Sequence, residues 1–269
     1  MILAIDVGGT KTLLAVFDDN KKLVEQVKFP TPKDYSEFIK SINEAKEKLT
    51  TKRFFAGAVG IRGLVDRRKG ILITDSILDW RNAPLAKDLS EIFSCGFSVE
   101  NDSNLAGLSE ATLPNNAKYK KITYITISTG IGSVFIVDKK IDTNLVSSEI
   151  GKWVFEHDNK FQTWENFASG KAIVDKYKKR ASELEDETSW KSISKNMAIG
   201  ILNASAAYTP DLIIIGGGVG EHFTKFEKPL LQALQDFPHE SIIIPKIIGA
   251  ERSEEAVIYG CLELALQKI

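Results

Sequence analysis

Residues 4–19, AIDVGGTKTLLAVFDD, place a single acid, Asp6, at the end of an apolar run and directly before a glycine pair. A threonine follows, and then a second apolar run begins. One interpretation is a simple hairpin turn, because Asp and Gly are common turn formers. The other interpretation is a phosphate and metal site at the turn, and the rest of the sequence has to decide between them.

The composition is that of an ordinary globular protein. The 269 residues, 43% hydrophobic and 26% charged, suit one large or two medium domains. A formal net charge of −1 does not indicate a nucleic-acid or membrane partner. Cys95 and Cys261 lie far apart in the sequence, and their spacing suggests neither a metal site nor a disulfide framework. We therefore expect reduced, buried thiols in a cytosolic protein. Asp6 interrupts the first apolar run too early for a signal peptide, so we expect a cytoplasmic protein.

Apolar periodicity predicts a mixed α/β fold. The first part reads as an antiparallel meander of three strands, followed by helix, strand, helix and strand. Asp34 is the expected N-cap of the first helix. The predicted segments are strands at 2–6, 12–19, 22–29, 54–61 and 96–102, and helices at 34–49 and 84–93.

The second part begins with the same pattern, since the runs 121–128 and 133–140 flank the turn TGIG, residues 129–132. We therefore predict two halves that are built alike. The polar run 182–192 is predicted to be an exposed connection or a frayed helix end. Residues 195–208 predict a helix, 211–223 predict a strand that runs through three glycines into a helix, and 253–269 predict a closing helix with Ser253 as its cap and Glu254 and Glu255 in its first turn.

Three glycine turns, each after a branched-chain strand, are a stronger signal than one. Glycine lets backbone N–H groups approach a phosphate closely, because it has no Cβ. The turns DVGGTKT and STGIGS can each hold phosphate oxygens, with hydroxyl donors from Thr10 and Thr129. The turn GGGVG can leave room for a base or a ribose. None of the three is a Walker A loop or a GxGxxG fingerprint.

The stretch VENDSNLAGLSEA, residues 99–111, groups three polar side chains where a strand ends and a helix begins. Asp102 or Ser103 as an N-cap explains one of them. It explains the group Glu100, Asn101 and Asp102 less well. A carboxylate here could accept a proton from a substrate hydroxyl, while Asn101 holds a neighbouring hydroxyl.

These motifs, together with SEIGK and ENFASG, occur in the order seen in the ROK family of sugar kinases, and the resemblance covers nearly the whole chain. It implies a two-domain α/β fold of the ribonuclease-H-like, actin-type ATPase class, with mixed sheets and an interdomain cleft. It also implies an N-terminal domain at 1–108, joined by the closing helix 254–269, and a C-terminal domain at 109–253.

The resemblance also implies roles for individual residues. Asp102 matches the catalytic base that faces the sugar 6-hydroxyl, Asn101 matches a sugar ligand, and Asp6 matches the acid that helps to hold hydrated Mg²⁺. The other expected sugar contacts are Gly63, Glu149, Lys152 and Glu165. The expected phosphate and nucleotide contacts are Gly8, Gly9, Thr10, Lys11, Thr129, Gly130, Gly132, Gly216, Gly217 and Gly218.

Two departures from the family pattern stand near the expected sugar pocket. Lys152 replaces a histidine that commonly serves the sugar and a structural zinc, and the segment after it has no cysteine, so we expect no zinc site. His157 is then expected to be a surface residue. Arg62 stands where the family often has proline. Arg62 and Lys152 are either solvated or bring positive charge to the pocket, and that charge would favour an anionic substrate.

The implied function is that of an ATP-dependent, glucokinase-like hexose kinase of glycolysis, with ATP and Mg²⁺ as cofactors. Its partners would be a small-molecule sugar and a nucleotide, with a homodimer left open. A polyphosphate donor, and another hexose or an N-acetylhexosamine as acceptor, remain alternatives. A catalytically degenerate sugar-binding or regulatory module is the alternative of another class. Regulators of the family carry a DNA-binding helix-turn-helix ahead of the first glycine turn, for which a first strand that starts at Met1 is expected to leave no room.

Overall fold

The structure, a computed structural model, describes residues 1–146, 148–238, 240–252 and 255–268. The chain divides into two compact units. Unit 1 comprises Met1–Ser109 and Glu254–Ile269, and unit 2 comprises Glu110–Ser253. No helix in these described ranges is both long and apolar enough to cross a membrane.

Strands and helices alternate along the chain. The strands are β1 (Ile2–Val7), β2 (Lys11–Phe17), β3 (Leu23–Pro30), β4 (Ala56–Ile61), β5 (Leu64–Asp66), β6 (Ile71–Thr74), β7 (Arg81–Ala83), β8 (Gly96–Asn101), β9 (Lys121–Ile127), β10 (Ile131–Val137), β11 (Lys140–Ile141), β12 (Val154–His157), β13 (Lys160–Thr163), β14 (Leu212–Gly216) and β15 (Lys246–Gly249). The helices are α1 (Tyr35–Lys48), α2 (Leu85–Phe93), α3 (Asp102–Ala111), α4 (Trp164–Ala168), α5 (Gly170–Tyr177), α6 (Glu187–Tyr208), α7 (Gly217–Gly220), α8 (Phe223–Asp236) and α9 (Ala256–Leu266).

Each unit is built on a five-stranded sheet of the same topology. The strand order is β3-β2-β1-β4-β8 in unit 1 and β11-β10-β9-β14-β15 in unit 2. In both sheets the first strand pairs antiparallel with the second strand on one side. On its other side it pairs parallel with a later strand, which in turn pairs parallel with the last strand of that order. The predicted repetition of pattern in the two halves is therefore confirmed.

Local signals in unit 1 act as the sequence predicts. The Asp34 side chain accepts a hydrogen bond from the Glu37 N–H at 3.0 Å and so caps α1. Phe38 and Ile42 are fully buried one turn apart on that helix and pack against one face of the sheet. This face of unit 1 is the larger part of its apolar core.

The other face of the unit 1 sheet carries small side chains, so that α9 lies directly on it. Ala4 and Ala58 are fully buried there, and Gly60 follows on the same face of β4. A Cβ at Gly60 would stand 2.5 Å from Cγ1 of Val257 and 2.8 Å from Cδ1 of Leu105. Larger side chains on this face would therefore push the helices off the strands.

The structure corrects the prediction for the polar run 182–192. Helix α6 begins at Glu187 inside that run, after a 3₁₀ turn at Ala181–Glu183. Trp190 is buried and stacks on Phe226, with ring centroids 5.4 Å apart. One aromatic residue, which the count of polar neighbours outweighed, therefore fixes this segment in the core.

Of two further predictions, one falls partly outside the described residues and one is changed by the structure. Ser253 and Glu254, the predicted cap and first-turn residues of the closing helix, lie outside the described residues, and α9 begins after Glu255. The side chain of His157, predicted at the surface, is only 19% exposed, because its ring stacks on Phe167, with ring centroids 4.1 Å apart, and bonds to Asn196. The segment that lacks the cysteines is the hairpin β12–β13.

Close packing of α4 on α6 generates a stability prediction. The ring of Trp164 occupies the space that a Cβ at Gly200 would need. Gly→Ala inside a helix normally stabilises by about 1 kcal/mol, but here overpacking should reverse the sign. We expect Gly200→Ala to lower the free energy of unfolding by about 1–3 kcal/mol, measured by urea denaturation. Asn203→Ala, at an exposed position of the same helix, should have almost no effect.

Candidate active site

The predicted acids lie where the parallel strands of unit 1 end. In the sheet register, Asp6 of β1 lies beside Gly60 of β4, and Gly60 lies beside Glu100 of β8. Asn101 closes β8, and Asp102 opens α3. Because the carboxyl ends of parallel strands meet at one edge, the fold brings these residues to the same edge of the sheet.

The helix cap at this edge is Asn101, and neither Asp102 nor Ser103 fills that place. The Oδ1 atom of Asn101 accepts the N–H of Ser103 at 3.0 Å, and its Nδ2 donates to the carbonyl oxygen of Gly63 at 3.2 Å. Asp102 accepts the same Ser103 N–H through Oδ1 at 2.8 Å. The amide of Asn101 is therefore held on both sides, next to the predicted base.

Asp102 is partly withdrawn from water. Burial raises the pKa of its carboxyl above the usual value, and the nearby Asp75 carboxylate acts in the same direction. The Ser103 hydrogen bond and the Arg62 guanidinium oppose this effect. Arg62 is itself held by buried Asp75, with Nε 2.9 Å from Oδ2, and its Nη2 donates to Ser76. Arg62 therefore lies near the predicted base, Asp102, while its guanidinium already forms an ion pair with Asp75.

Asp6 is the most strongly perturbed carboxyl of this group. Burial is the main cause that raises its pKa, and repulsion from Asp102 is the second. The positive charge of Lys28 acts in the opposite direction, and the resulting pKa is about 6. Two carboxylates that disfavour each other's charge form an arrangement that a divalent cation would stabilise. Mg²⁺ is usually held by one or two carboxylates together with substrate phosphates and water, so Asp6 fits the predicted role chemically.

The first glycine turn is both a hairpin and an open backbone surface. The Gly8 N–H donates to the carbonyl oxygen of Lys11 at 3.0 Å, which closes the turn between β1 and β2. Thr10 is exposed, and Lys11 is the exposed first residue of β2. The hairpin interpretation is therefore correct, and it leaves Thr10 and Lys11 available to a ligand.

In unit 2, Glu165 lies against the second glycine turn. Its Oε2 is 3.4 Å from the N–H of Ile131 and would be 2.9 Å from a Cβ at Gly130. Its Oε1 pairs with the ammonium of Lys152. That pair raises the pKa of Lys152, with a smaller contribution from Glu149. Four of the predicted residues are thus brought together, although the sequence assigned them to two different ligands.

The turn itself is shorter than the sequence predicts. Thr129 is exposed and Gly130 follows it, whereas Gly132 lies within β10, paired with Thr126. The third glycine group begins at the last residue of β14, Gly216.

Two glycines of this third group have different structural roles. Gly217 has a φ of 79° and packs against Thr126 and Ile127, so it satisfies the left-handed backbone of the turn. A Cβ at Gly218 would meet nothing within 4 Å, so its backbone is open to a ligand.

One acid of the predicted group has another role. Glu100 is buried, and Arg67 holds its carboxylate through Nε and Nη2. Sequence reasoning missed Arg67 and Asp75, because the partners stand 33 and 13 residues from Glu100 and Arg62. The available signal was a group of acids at the end of an apolar strand. This signal does not distinguish an acid that is buried in an ion pair from an acid that can react.

The raised pKa of Asp6 predicts a stability cost in the protein without Mg²⁺. The native state holds the Asp6 proton up to a pH of about 6, whereas the ordinary value is 3.8, so stability falls as the pH rises through this window. We expect Asp6→Asn to raise the free energy of unfolding at neutral pH, by at most about 3 kcal/mol. The gain should disappear below a pH of about 4. Urea denaturation across this pH range measures it, with exposed Glu44→Gln as the control.

The chain is similar to known proteins over nearly its whole length. A family model described as the ROK family matches residues 2–268. The N-acetyl-D-glucosamine kinase of Haemophilus influenzae is similar to this chain, with 27% identity over 305 residues that cover 100% of both chains.

Two solved structures share the fold. A ROK family glucokinase from Streptomyces griseus, in complex with glucose and AMPPNP, is 21% identical and superposes with a TM-score of 0.75 over 99% of each chain. An inorganic polyphosphate/ATP-glucomannokinase from Arthrobacter sp. strain KM is 25% identical, with a TM-score of 0.69 over 99% of this chain and 98% of that one. The predicted fold class is confirmed, and because the family model matches nearly every residue, the chain belongs to the ROK family.

Proposed function

We propose that this ROK-family protein is an ATP-dependent, glucokinase-like hexose kinase that transfers the γ-phosphoryl group of ATP to a sugar hydroxyl, the 6-hydroxyl. The observation that carries the proposal is the partly buried Asp102 carboxylate at the ends of the parallel strands, with Asp6 and Arg62 beside it. Phosphoryl transfer needs positioning and charge stabilisation more than covalent chemistry, and this group offers both.

Asp102 is proposed as the general base. It would accept the hydroxyl proton as the sugar oxygen attacks the phosphorus in line. Burial makes the carboxylate a stronger base by raising its pKa, and the Arg62 guanidinium opposes part of that rise. Asn101, already fixed by Ser103 and Gly63, would hold a neighbouring hydroxyl and so orient the acceptor.

The donor is proposed to bind at the glycine turns. The exposed residues Thr10, Lys11 and Thr129 would contact phosphate oxygens, and Gly218 would leave room for the adenosine. Asp6 would hold Mg²⁺ through water, and the ion would supply charge neutralisation for the phosphates. The proposal places the reaction in the cytoplasm, at the entry to glycolysis. It is compatible with a homodimer.

The acceptor site is proposed to include Glu149, Lys152 and Glu165. The two carboxylates accept hydrogen bonds from sugar hydroxyls, and Lys152 supplies only donors. Lys152 therefore requires an acceptor atom on the sugar, such as a hydroxyl or a carbonyl oxygen. This requirement is compatible with glucose and with an N-acetylhexosamine.

The proposal predicts that Asp102→Asn removes nearly all turnover. The amide has the shape of the acid but cannot take a proton, so kcat should fall by roughly 10²–10⁴-fold or more. Glucose binding, measured by calorimetry, should survive. The control Asp19→Asn changes an exposed acid in the loop between β2 and β3 and should keep full activity. Near-normal kcat in Asp102→Asn would remove the assignment of the base.

Lys152 predicts a separate effect on sugar binding. We expect Lys152→Met to raise the KM for the sugar by about tenfold, since a hydrogen bond to a charged group is lost, with little change in kcat. Thermal stability should stay unchanged, because the Lys152 side chain is 59% exposed. Lys171→Met removes a lysine of comparable exposure, which pairs with Asp175 in the same unit, and serves as the control. An unchanged KM would place Lys152 outside the sugar site.

A second candidate function is sugar binding without turnover. It is favoured by the pairing of Lys152 with Glu165, which occupies one of the acids expected to hold the sugar. A coupled assay of ADP release across hexoses and N-acetylhexosamines separates the two functions. Product formation with polyphosphate in place of ATP identifies the donor. Binding of a sugar with no product from either donor would support the second candidate.

A further inference from the structure

We propose that Arg67 and Glu100 form a positioning pair that fixes Asp102 relative to the end of β8. This inference rests on the proposed function, because it assigns Asp102 as the base. Glu100 cannot itself act on substrate, since its side chain is only 4% exposed and its oxygens are occupied within the protein.

Glu100 ties the strand end to the first turn of the helix. Its Oε1 accepts the N–H of Asn101 at 2.7 Å and the Nδ2 of Asn104 at 2.8 Å. Asp102 lies between these two residues in the chain. One buried oxygen therefore holds the residue before the base and the residue two positions after it, which sets the direction in which α3 leaves the sheet.

Arg67 holds Glu100 in place. Its Nε and Nη2 face the two carboxylate oxygens, and the Nη2–Oε1 distance is 2.6 Å. This fork-to-carboxylate geometry fixes orientation as well as charge, which an ammonium would not do. Since a buried carboxylate without a partner is unfavourable, the burial of Glu100 depends on its pairing with Arg67.

The turn that carries Arg67 is itself anchored. The Oδ1 of Asp66 accepts the N–H groups of Arg68 and Lys69, each at 3.1 Å. The carbonyl oxygen of Gly70 accepts the N–H of Ala86 in α2 at 2.9 Å. The position of Arg67 is therefore defined by the chain around it, and the arginine transmits that position to the strand end.

The test compares five variants of the full chain. We expect Arg67→Met to lower kcat by about ten- to hundredfold, because small displacements of a base have large effects on rate. The KM for ATP should change less than about twofold, since the donor contacts lie elsewhere. Arg67→Lys should recover part of kcat. Arg68→Met, which removes the neighbouring exposed arginine, should behave as wild type.

Arg67→Met leaves a carboxylate unpaired, and it can fail to fold for that reason. The double variant Arg67→Met with Glu100→Gln removes both charges and retains an acceptor for Asn101 and Asn104. We expect it to fold, as judged by circular dichroism, and to keep a kcat about tenfold below wild type. Millimolar guanidinium should restore part of kcat in Arg67→Ala.

A folded single or double variant with wild-type kcat would overturn the positioning role. A parallel loss of kcat and of ATP binding, with no rescue by guanidinium or by Arg67→Lys, would overturn it as well, since that is general destabilisation. Hydrogen exchange of the Asn101 amide provides a readout without turnover, and it should accelerate in the Arg67 variants. If wild-type protein phosphorylates no sugar, the proposed function fails, while an unchanged exchange rate in the variants is what defeats the pair.

Discussion

The close approach of α9 to the sheet of unit 1 is the constraint on which the rest of the candidate site depends. Ala4, Ala58 and Gly60 have at most a methyl group as side chain, so the helix packs closely on the strands and this face is buried from water. Asp6 continues the same face at the strand end. Its carboxyl is therefore partly desolvated, and its pKa is raised before any ligand binds. The cost comes from the packing that also forms the apolar core of this face.

The carboxylates at this edge of the sheet lower the stability of the fold, and the same carboxylates carry the proposed function. Two carboxylates, Asp6 and Asp102, are held partly out of water and repel each other. Arg62 and Lys28 offset only part of that cost. Such a site suits the proposed binding of a cation and a polar substrate, because the ligands would replace missing solvation. The cores of the two units supply the stability that permits it, through large apolar clusters away from the edge.

The sequence predicted the main-chain design well and the side-chain partners poorly. Alternating patterns, glycine turns and the Asp34 cap are local signals, and they located the two hairpins and most helices. The sheet β5–β6–β7 and the hairpin β12–β13 were not predicted, because their strands are short and bury only part of their side chains. Trp190 was misjudged since its polar neighbours dominated the local composition.

The candidate site shows the same limit at the level of single residues. Glu100 and Asp102 are two positions apart in the sequence and share the same chemistry. What separates them is a long-range partner: Arg67 reaches Glu100 from a turn 33 residues away, whereas Asp102 has a helix N-terminus and a more distant charge. No local pattern contains that information, so the sequence could identify the group of acids but could not assign a separate role to each one.

The repeated topology sharpens this point. Asp6 pairs with Gly60 at the end of the unit 1 sheet, and Thr126 pairs with Gly216 at the equivalent place in unit 2. The backbone arrangement is the same, with a hairpin strand and a parallel neighbour that has a glycine as its last or next-to-last residue. Only one half carries an acid at this position, while the other carries a hydroxyl and open glycine backbone. The shared strand pattern thus gives the two halves equivalent sheet edges, and the side chain at the equivalent position differs in charge. In the proposed function the acid at the unit 1 edge suits a cation and a reacting hydroxyl, the open glycine backbone of unit 2 suits the adenosine, and Glu149, Lys152 and Glu165 add the sugar contacts of unit 2.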